Sequence, residues 1–315
     1  MGLRLPGQWV WDSWFVRDGD TFHAFYLQAS RALQDANRRH RNVSVGHATS
    51  TDLINWTVLP DALAISDSPA FDSWTTWTGS VIKQGDTWWM FYTGTSREDE
   101  GQVQSVGAAT STDLITWNKL GSQAMVRAEA PHYAKRDQIK WQDEAFRDPW
   151  VFKFQPSDET WHMLVTARAD GPDTANSGVM GHAISKDLKR WDVQPPLSAP
   201  GQGFGETEVF QFEVVDGVPI VLFCCNYYWL SPERKARERG GVYSLPVAAD
   251  LSNVDFNHAV WFESRPELYA SRLVQGKDGR WNLIGFIDMV DGKFVGELSD
   301  PIPVTAHPEK GLIPR

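Results

Sequence analysis

Three carboxylate residues, Asp12, Asp148 and Glu208, each begin a run of strand-forming residues that a polar turn and a second aromatic run follow. Cleavage of a glycosidic bond with retention needs two carboxyl groups about 5 to 5.5 Å apart, one to attack the anomeric carbon and one to protonate the leaving oxygen. A third carboxylate can stabilise the oxocarbenium-like transition state by accepting hydrogen bonds from sugar hydroxyls. The three residues therefore have the chemistry that glycoside cleavage requires.

Each acid taken alone also has a purely structural interpretation. An Asp or Glu at the start of a strand commonly accepts hydrogen bonds from nearby backbone N–H groups. All three acids, however, hold the same place at the start of a hairpin, and this shared place favours catalysis.

The hairpin that begins at each acid belongs to a set of five. Its second strand is predicted at residues 22–26, 88–92, 161–165, 219–223 and 281–286. Aromatic and β-branched residues bounded by Gly, Asp and other turn residues are typical of such strands.

A second repeat, eleven residues long, lies after the hairpins. It runs from Gly46 to Trp56, returns almost letter for letter from Gly107 to Trp117 and from Gly181 to Trp191, and has a weaker fourth copy from Gly241 to Leu251. The pattern indicates a strand, a Ser/Thr/Asp turn and a Trp that packs between neighbouring elements.

Five hairpins and their trailing turns, at a period of about sixty residues, predict an all-β fold: a five-bladed β-propeller with four antiparallel strands per blade. An open β-sandwich with chance similarity between its turns is the alternative. Because no linker divides the chain, we expect residues 1–315 to form a single catalytic domain.

The propeller prediction brings the three acids together. The first strand of each blade lines the central channel, so equivalent residues of successive blades form a ring around one mouth. We expect Asp12, Asp148 and Glu208 to converge there, with Thr78 presented by the second blade and Ser271 by the fifth.

The composition of the chain disfavours several classes of binding partner. A net charge of −10 and a pI near 5.3 argue against nucleic acid and anionic membranes, which are polyanions, and no apolar run approaches the roughly 20 residues of a membrane span. A small neutral carbohydrate fits better. The oligomeric state is left open.

Neither a cofactor nor a metal is predicted. The two cysteines, Cys224 and Cys225, are adjacent in a predicted strand, which favours neither a disulfide framework nor a metal knuckle. His47 and His182 are interpreted as structural turn residues of the repeat. With no signal peptide visible, we expect a cytoplasmic protein.

Four motifs resemble, in order and spacing, those of glycoside hydrolase family 68, the levansucrases and their relatives. They are Val10 to Trp14, Trp77 to Ser80, Phe146 to Pro149 and Glu206 to Val209. The segment Gly46 to Leu59, with Trp77 to Ser80 and Met90 to Gly94, is as similar to family 32, the invertases, fructanases and inulinases. The resemblance covers roughly residues 8 to 230.

The resemblance implies a β-fructofuranosidase that works with retention, with fructosyl transfer to sugars as an open possibility. It implies a nucleophile at Asp12, a transition-state stabiliser at Asp148 and a general acid/base at Glu208. It further implies that Arg147 bonds sugar hydroxyls and that Glu206 orients Glu208 or raises its pKa. Hydrophobic walls are expected from Trp11 and Trp77.

Some features depart from the family patterns. Phe210 stands where Pro or Ala is usual, the Asn-Asp-Pro of invertases is absent, and no C-terminal β-sandwich is expected. Two alternatives stay open: an α-L-arabinofuranosidase or other furanosidase of the same propeller superfamily, and a non-catalytic carbohydrate-binding propeller. A binding module, however, has little need for buried carboxylates.

Overall fold

The computed structural model describes residues 2–136, 141, 143–169 and 173–315. Within these residues the chain forms five antiparallel β-sheets in succession along the sequence. The five-bladed β-propeller predicted from the repeats is therefore confirmed.

Each of the first four blades is a meander of four strands. The first blade contains β1 (Gln8–Asp18), β2 (Thr21–Ser30), β3 (Ser44–Ser50) and β4 (Thr57–Leu63). The second contains β5 (Thr75–Gln84), β6 (Thr87–Thr95), β7 (Gln104–Ser111) and β8 (Asn118–Lys119). The third contains β9 (Phe146–Phe152), β10 (Trp161–Arg168), β11 (Gly178–Ser185) and β12 (Asp192–Gln194). The fourth contains β13 (Glu208–Val215), β14 (Val218–Cys225), β15 (Gly241–Pro246) and β16 (Val260–Trp261).

The fifth blade adds one strand to this plan. It contains β17 (Leu268–Gln275), β18 (Trp281–Val290), β19 (Lys293–Leu298), β20 (Ile302–His307) and β21 (Gly311–Pro314). The path of four runs through β17, β18, β20 and β21, while β19 pairs with the remaining part of β18. Asp300-Pro301 separates β19 from β20, and Pro has no N–H to continue a ladder.

Helical structure in the described residues is short. It comprises one α-helical turn (Pro232–Lys235) and 3-10 turns at Arg31–Leu33, Ala36–Arg41, Thr174–Asn176, Tyr227–Trp229 and Phe256–His258. None of the described helices has the length and apolar character to cross a membrane.

The eleven-residue repeat has the same turn in three blades. In each, one Asp oxygen accepts hydrogen bonds from the backbone N–H groups two and three residues later, and the next Leu has φ of 63° or 64°. These residues are Asp52 with Leu53, Asp113 with Leu114, and Asp187 with Leu188. The Asp therefore satisfies the N–H groups that the reversal leaves free.

The Trp that ends each repeat packs against the neighbouring blade. Trp117 meets Phe25 of the first blade edge to face, with ring centroids 5.6 Å apart, and Trp191 meets Phe91 of the second blade at 5.5 Å. Trp56 packs into a cluster with Ile284 of the fifth blade. The three Trp thus hold equivalent places between successive blades, as predicted.

The first strands β1, β5, β9, β13 and β17 contact one another in a closed ring. Each has a β-bulge near one mouth of the ring: in β1, β9, β13 and β17 two residues lie opposite one residue of the second strand, and in β5 Thr78 has no paired residue. A bulge re-aims the side chains beside it. Here the bulges lie beside the predicted site.

Candidate active site

A cavity of about 460 Å³ opens at this mouth. All eight site residues predicted from the sequence line it: Trp11, Asp12, Trp77, Thr78, Arg147, Asp148, Glu206 and Glu208. The structure thus brings together the three acids from β1, β9 and β13.

The bulges change how the acids are related. Register places Arg147, Glu208 and Tyr269 as equivalents, each the last paired residue before its bulge. Asp148 is the first of the two unpaired residues in the bulge of β9 and has φ 58°. Asp12 is the second of the two unpaired residues in the bulge of β1. The prediction of one shared strand position for the three acids is therefore wrong, although the acids do converge.

The same offset corrects the fifth blade. Ser271 is buried and does not line the cavity, whereas Tyr269, two residues earlier, does. The Tyr269 hydroxyl donates a short hydrogen bond to Glu208 Oε2. Counting residues along the strand missed Tyr269 because a bulge breaks the two-residue period of side chains.

Asp12 lies between the first two blades. Thr78 donates a short hydrogen bond to Asp12 Oδ2, which fixes the carboxylate against β5. Burial raises the pKa of Asp12 to about 6, although the hydrogen bond from Thr78 works to lower this pKa. At neutral pH most of this carboxyl is therefore an anion, the form that a nucleophile needs.

Asp148 is held on three sides. Its backbone N–H donates to Thr93 Oγ1 at 2.8 Å, Thr166 Oγ1 donates to its Oδ2 at 2.8 Å, and Arg147 Nε lies 3.4 Å from the same oxygen. Burial raises the pKa of Asp148 to about 6, although Arg147 opposes this. Left-handed backbone at a non-glycine residue is costly, so these bonds fix an otherwise unfavourable geometry.

Arg147 joins the two glutamates. Its Nη2 lies 2.7 Å from Glu206 Oε1 and 2.6 Å from Glu208 Oε1. Burial works to lower the pKa of Arg147, but the surrounding carboxylates outweigh burial and raise it. The guanidinium is therefore a fixed positive charge in the wall of the cavity.

The pKa values of Glu206 and Glu208 are shifted in opposite directions. Burial alone would raise the pKa of Glu206, but Arg147 and Arg168 together bring it to about 2. Burial and the neighbouring Glu206 charge raise the pKa of Glu208 to about 7. The Glu208 side chain is also the more exposed of the two, at 19% against 7%, so a ligand in the cavity can reach Glu208 more easily than Glu206.

Aromatic side chains form the walls. Trp11 and Trp77 lie on either side of His40, whose ring meets theirs edge to face at 6.1 Å and 6.5 Å. Trp77 Nε1 donates to the His40 carbonyl oxygen at 2.9 Å. The predicted hydrophobic walls are therefore present, tied together by His40.

The sequence analysis did not single out several other cavity residues. Two Trp, Trp141 and Trp229, contact each other with centroids 4.4 Å apart, and the Arg168 guanidinium lies 3.8 Å from the Trp141 ring. The remaining ones are Leu27, Arg39, Arg41, Gln104, Asp143, Val209, Asn226, Phe286 and Asp288. Most come from loops or second strands, where no repeat marks them.

The two repeat histidines lie elsewhere. His47 and His182 are strand residues of β3 and β11 and not turn residues, and each pairs with a neighbouring strand's histidine, His23 Nδ1 at 2.9 Å and His162 Nδ1 at 3.1 Å. Burial lowers the pKa of His47 to about 3 and that of His182 to about 4. Neither histidine lines the cavity.

A five-bladed propeller with acidic residues converging in one cavity at its mouth has the architecture of a carbohydrate-active enzyme. The model of the glycosyl hydrolases family 32 N-terminal domain matches residues 12–296. The chain therefore belongs to glycosyl hydrolase family 32.

Curated relatives share parts of the chain. A bifunctional fructosyltransferase of Allium cepa is 30% identical over 159 residues, which cover 50% of this chain and 24% of that protein. A sucrose-6-phosphate hydrolase of Pediococcus pentosaceus is 25% identical over 249 residues, covering 77% of this chain and 46% of the relative. The chain thus spans less than half the length of these relatives.

Solved structures share the fold. A family 32 β-fructofuranosidase of Bombyx mori has a TM-score of 0.76 and 19% identity, over 100% of this chain and 64% of the other. An inulosucrase of Halalkalicoccus jeotgali bound to kestose has a TM-score of 0.75 and 20% identity, over 98% of this chain and 87% of the inulosucrase chain.

Proposed function

We propose that the chain is a retaining glycoside hydrolase acting on β-D-fructofuranosides: sucrose, fructo-oligosaccharide or fructan. The observation that carries this proposal is the pair of unlike glutamates beside two aspartates in one cavity, with Glu208 held as an acid and Glu206 as an anion. Membership of family 32, with relatives named for sucrose-6-phosphate and fructan chemistry, supports the fructoside as substrate.

Asp12 is the proposed nucleophile and Glu208 the proposed acid/base. The Asp12 carboxylate attacks the anomeric carbon, the glycosidic C–O bond breaks, and Glu208 gives its proton to the leaving oxygen. Water then loses a proton to the Glu208 carboxylate, attacks the fructosyl–Asp12 ester and releases Asp12.

Asp148 and Arg147 are assigned to the sugar itself. The Asp148 carboxylate, fixed by Thr166, accepts hydrogen bonds from fructosyl hydroxyls that strengthen as positive charge develops on the ring. Arg147 provides a donor at the same wall, while Trp11 and Trp77 form its hydrophobic sides.

The two pKa values define a working range of pH. Asp12 must be ionised, which favours pH above about 6, and Glu208 must be protonated, which favours pH below about 7. The fraction of molecules in which Asp12 is ionised and Glu208 is protonated at the same time is therefore largest between about pH 6 and pH 7. Such a bell-shaped profile is what an acid and a nucleophile with separated environments produce.

Fructosyl transfer to a sugar is a second candidate activity. Trp141 and Trp229 give the cavity an aromatic surface on the side of Glu206, and a sugar ring that stacks there can take the place of water. Relatives of Allium cepa and Asparagus officinalis are named as fructosyltransferases.

The test is a substrate panel: sucrose, sucrose 6-phosphate, raffinose, inulin, levan and nitrophenyl α-L-arabinofuranoside, with released sugars followed over time. We expect fructose from at least one fructoside, none with Asp12→Asn, and methyl β-fructofuranoside when methanol is added, which reports retention. Release from the arabinofuranoside alone would assign that furanosidase activity instead. Binding without any release would favour the carbohydrate-binding propeller.

Two broader expectations accompany this proposal. We propose that residues 1–315 act as one catalytic domain, which limited proteolysis tests through the absence of a stable smaller fragment. We also propose a cytoplasmic location, which cell fractionation tests. Both free cysteines, Cys224 and Cys225, are buried.

A further inference from the structure

Five side chains form a closed hydrogen-bonded ring in the wall of the cavity. Arg147 Nη1 donates to Gln104 Oε1 at 2.9 Å, and Gln104 Nε2 donates to Asp143 Oδ2 at 3.1 Å. Arg168 Nη1 lies 2.6 Å from Asp143 Oδ1, and its Nη2 makes a short bond to Glu206 Oε1. Arg147 Nη2, 2.7 Å from that same oxygen, closes the ring.

The ring connects three blades. Gln104 comes from β7 of the second blade, Arg168 from the end of β10 in the third, and Glu206 lies two residues before β13 of the fourth. All three are buried, and the guanidinium carbon of Arg168 lies over the Trp141 ring, 3.8 Å from its centroid. Removing one partner would leave a buried charge unpaired, so each member fixes its neighbours.

The charges of the ring are distributed unequally. Arg147 serves Glu206 and Glu208 with the same nitrogen, so one cation faces two carboxyl groups. Arg168 is a second cation that contacts Glu206 but not Glu208. The Asp143 carboxylate forms an ion pair with Arg168 in turn. Glu206 is therefore an anion with two cations, whereas Glu208 shares one cation with that anion.

We propose that Arg168, Asp143 and Gln104 are positioning residues that hold Glu206 as a carboxylate against Arg147, and that this fixed negative charge keeps the proton on Glu208 until the leaving oxygen takes it. This inference rests on the acid/base role proposed above for Glu208. It assigns a function to three residues outside the catalytic motifs.

Charged and titratable groups of the described residues surround the two glutamates. Glu208 is faced by Glu206, by Arg147 and Asp148 of β9, by Asp12 of β1, by Tyr269 of β17 and by Cys224 and Cys225 of β14. Glu206 is faced by Arg147, Arg168, Glu208 and the buried Cys225. Among them, Arg168 is the cation that contacts Glu206 and makes no ion pair with Glu208.

The first test is the pH profile of kcat/KM for Arg168→Gln. Without Arg168, Glu206 keeps Arg147 as its one cation, so the pKa of Glu206 should rise, its repulsion of Glu208 should weaken, and more of the Arg147 charge is left to the Glu208 carboxylate. We expect the alkaline limb to move to lower pH by about 0.5 unit or more. Arg168→Lys, which keeps the charge, should restore most of the limb.

A double variant separates action through Glu206 from a general effect. If Arg168 acts through Glu206, Glu206→Gln with Arg168→Gln should have the same alkaline limb as Glu206→Gln alone. A further shift in the double variant, or an unmoved limb in Arg168→Gln, would overturn the proposal. Arg234→Gln removes a matched buried Arg–Glu pair, that of Arg234 with Glu238 outside the cavity, and should lower the Tm without moving the limb.

A titration without substrate keeps this inference separate from the proposed activity. The side-chain carboxyl carbons of ¹³C-labelled Glu206 and Glu208, assigned with Gln variants, report each protonation directly. In Arg168→Gln the Glu206 midpoint should rise and the Glu208 midpoint fall. If these shifts occur in a protein that cleaves no fructoside, the coupling stands and the proposed function fails. If the Glu206 midpoint stays where it is in the parent, the inference fails whatever the activity.

Discussion

Glu206 and Glu208 are two residues apart, yet their contacts give them opposite chemistry. Glu206 meets two guanidiniums, those of Arg147 and Arg168, whereas Glu208 meets one guanidinium and the neutral hydroxyl of Tyr269. Burial penalises both carboxylates, so the count of cations decides which of them stays ionised. Alternation along a strand cannot reveal this difference, because both residues point to the same side.

At Asp12 the prediction concerns turnover. Asp12→Asn should reduce kcat by several orders of magnitude, a barrier increase above about 4 kcal/mol, because an amide is a poor nucleophile toward the anomeric carbon. Ser271→Ala is the matched control, since Ser271 holds the register position of Asp12 in the fifth blade but lies outside the cavity. An Asp12→Asn enzyme with more than about a tenth of the parental rate would reassign the nucleophile.

A second residue prediction separates the two glutamates. Glu208→Ala should abolish action on natural fructosides but spare much of the first step for a fructosyl fluoride, whose leaving group needs little protonation. Added azide should then restore the second step of that variant. Glu206→Ala should weaken both substrates alike, without rescue. Azide rescue in Glu206→Ala and not in Glu208→Ala would exchange the two roles.

At the scale of the element, the sequence predicted the hairpins and turns well. Aromatic second strands and the Ser/Thr/Asp turn carry their signal within a dozen residues, and that local chemistry is what the structure shows. The bulges carry no such signal. Asp148 and Val209 lie in bulges and have φ of 58° and 57°, and their residue types alone do not predict this left-handed backbone.

The bulges explain which site residues the sequence could predict. Asp12, Asp148 and Glu208 were found because each begins a predicted hairpin, and Trp11 and Trp77 were found through the resemblance to glycoside hydrolase families 68 and 32. Tyr269 was missed because the prediction gave the three acids one strand position, whereas the bulges separate Asp12, whose register equivalent is Ser271, from Glu208, whose register equivalent is Tyr269. Arg168 and Asp143 were missed because they belong to a second strand and a loop, and only the folded contact between blades brings them to Glu206.

The packing between blades is testable at Trp191. Trp191→Ala removes a buried ring and its edge contact with Phe91, so the free energy of unfolding should fall by about 3 kcal/mol. Urea unfolding followed by far-UV circular dichroism measures the loss. Trp191→Phe keeps an aromatic ring at this position and should cost clearly less. Equal losses in the two variants would show that the blade contact contributes little.

At the scale of the whole molecule, closure of the propeller is what makes the site. The first and fifth blades are joined near the N-terminus, where Leu298 N–H donates to the Leu3 carbonyl oxygen at 3.1 Å and Arg31 Nη2 donates to that of Val295 at 2.8 Å. The closed ring of first strands then holds acids from three blades in one cavity. Such buried, crowded carboxyl groups destabilise the fold, because each must ionise away from bulk water.

Replacing the acid should therefore stabilise the protein in a pH-dependent way. The pKa of Glu208 is about 7 in the folded chain, above the usual 4.5, so the folded state binds this proton more tightly than the unfolded state. Its contribution to stability is present below about pH 4.5 and is lost as pH rises through 7, a loss on the order of 3 kcal/mol by pH 8.

Glu208→Gln cannot ionise and should avoid this loss. The difference in unfolding free energy between Glu208→Gln and the parent, measured by urea unfolding from pH 4.5 to 8, should shift in favour of the variant as pH rises. Glu159→Gln, at an exposed surface position, is the control and should show a flat difference. A flat difference for Glu208→Gln as well would mean that Glu208 ionises in the folded chain as readily as in water. In that case Glu208 would lack the raised pKa that a general acid needs at neutral pH, and its assignment as acid/base would have to be abandoned.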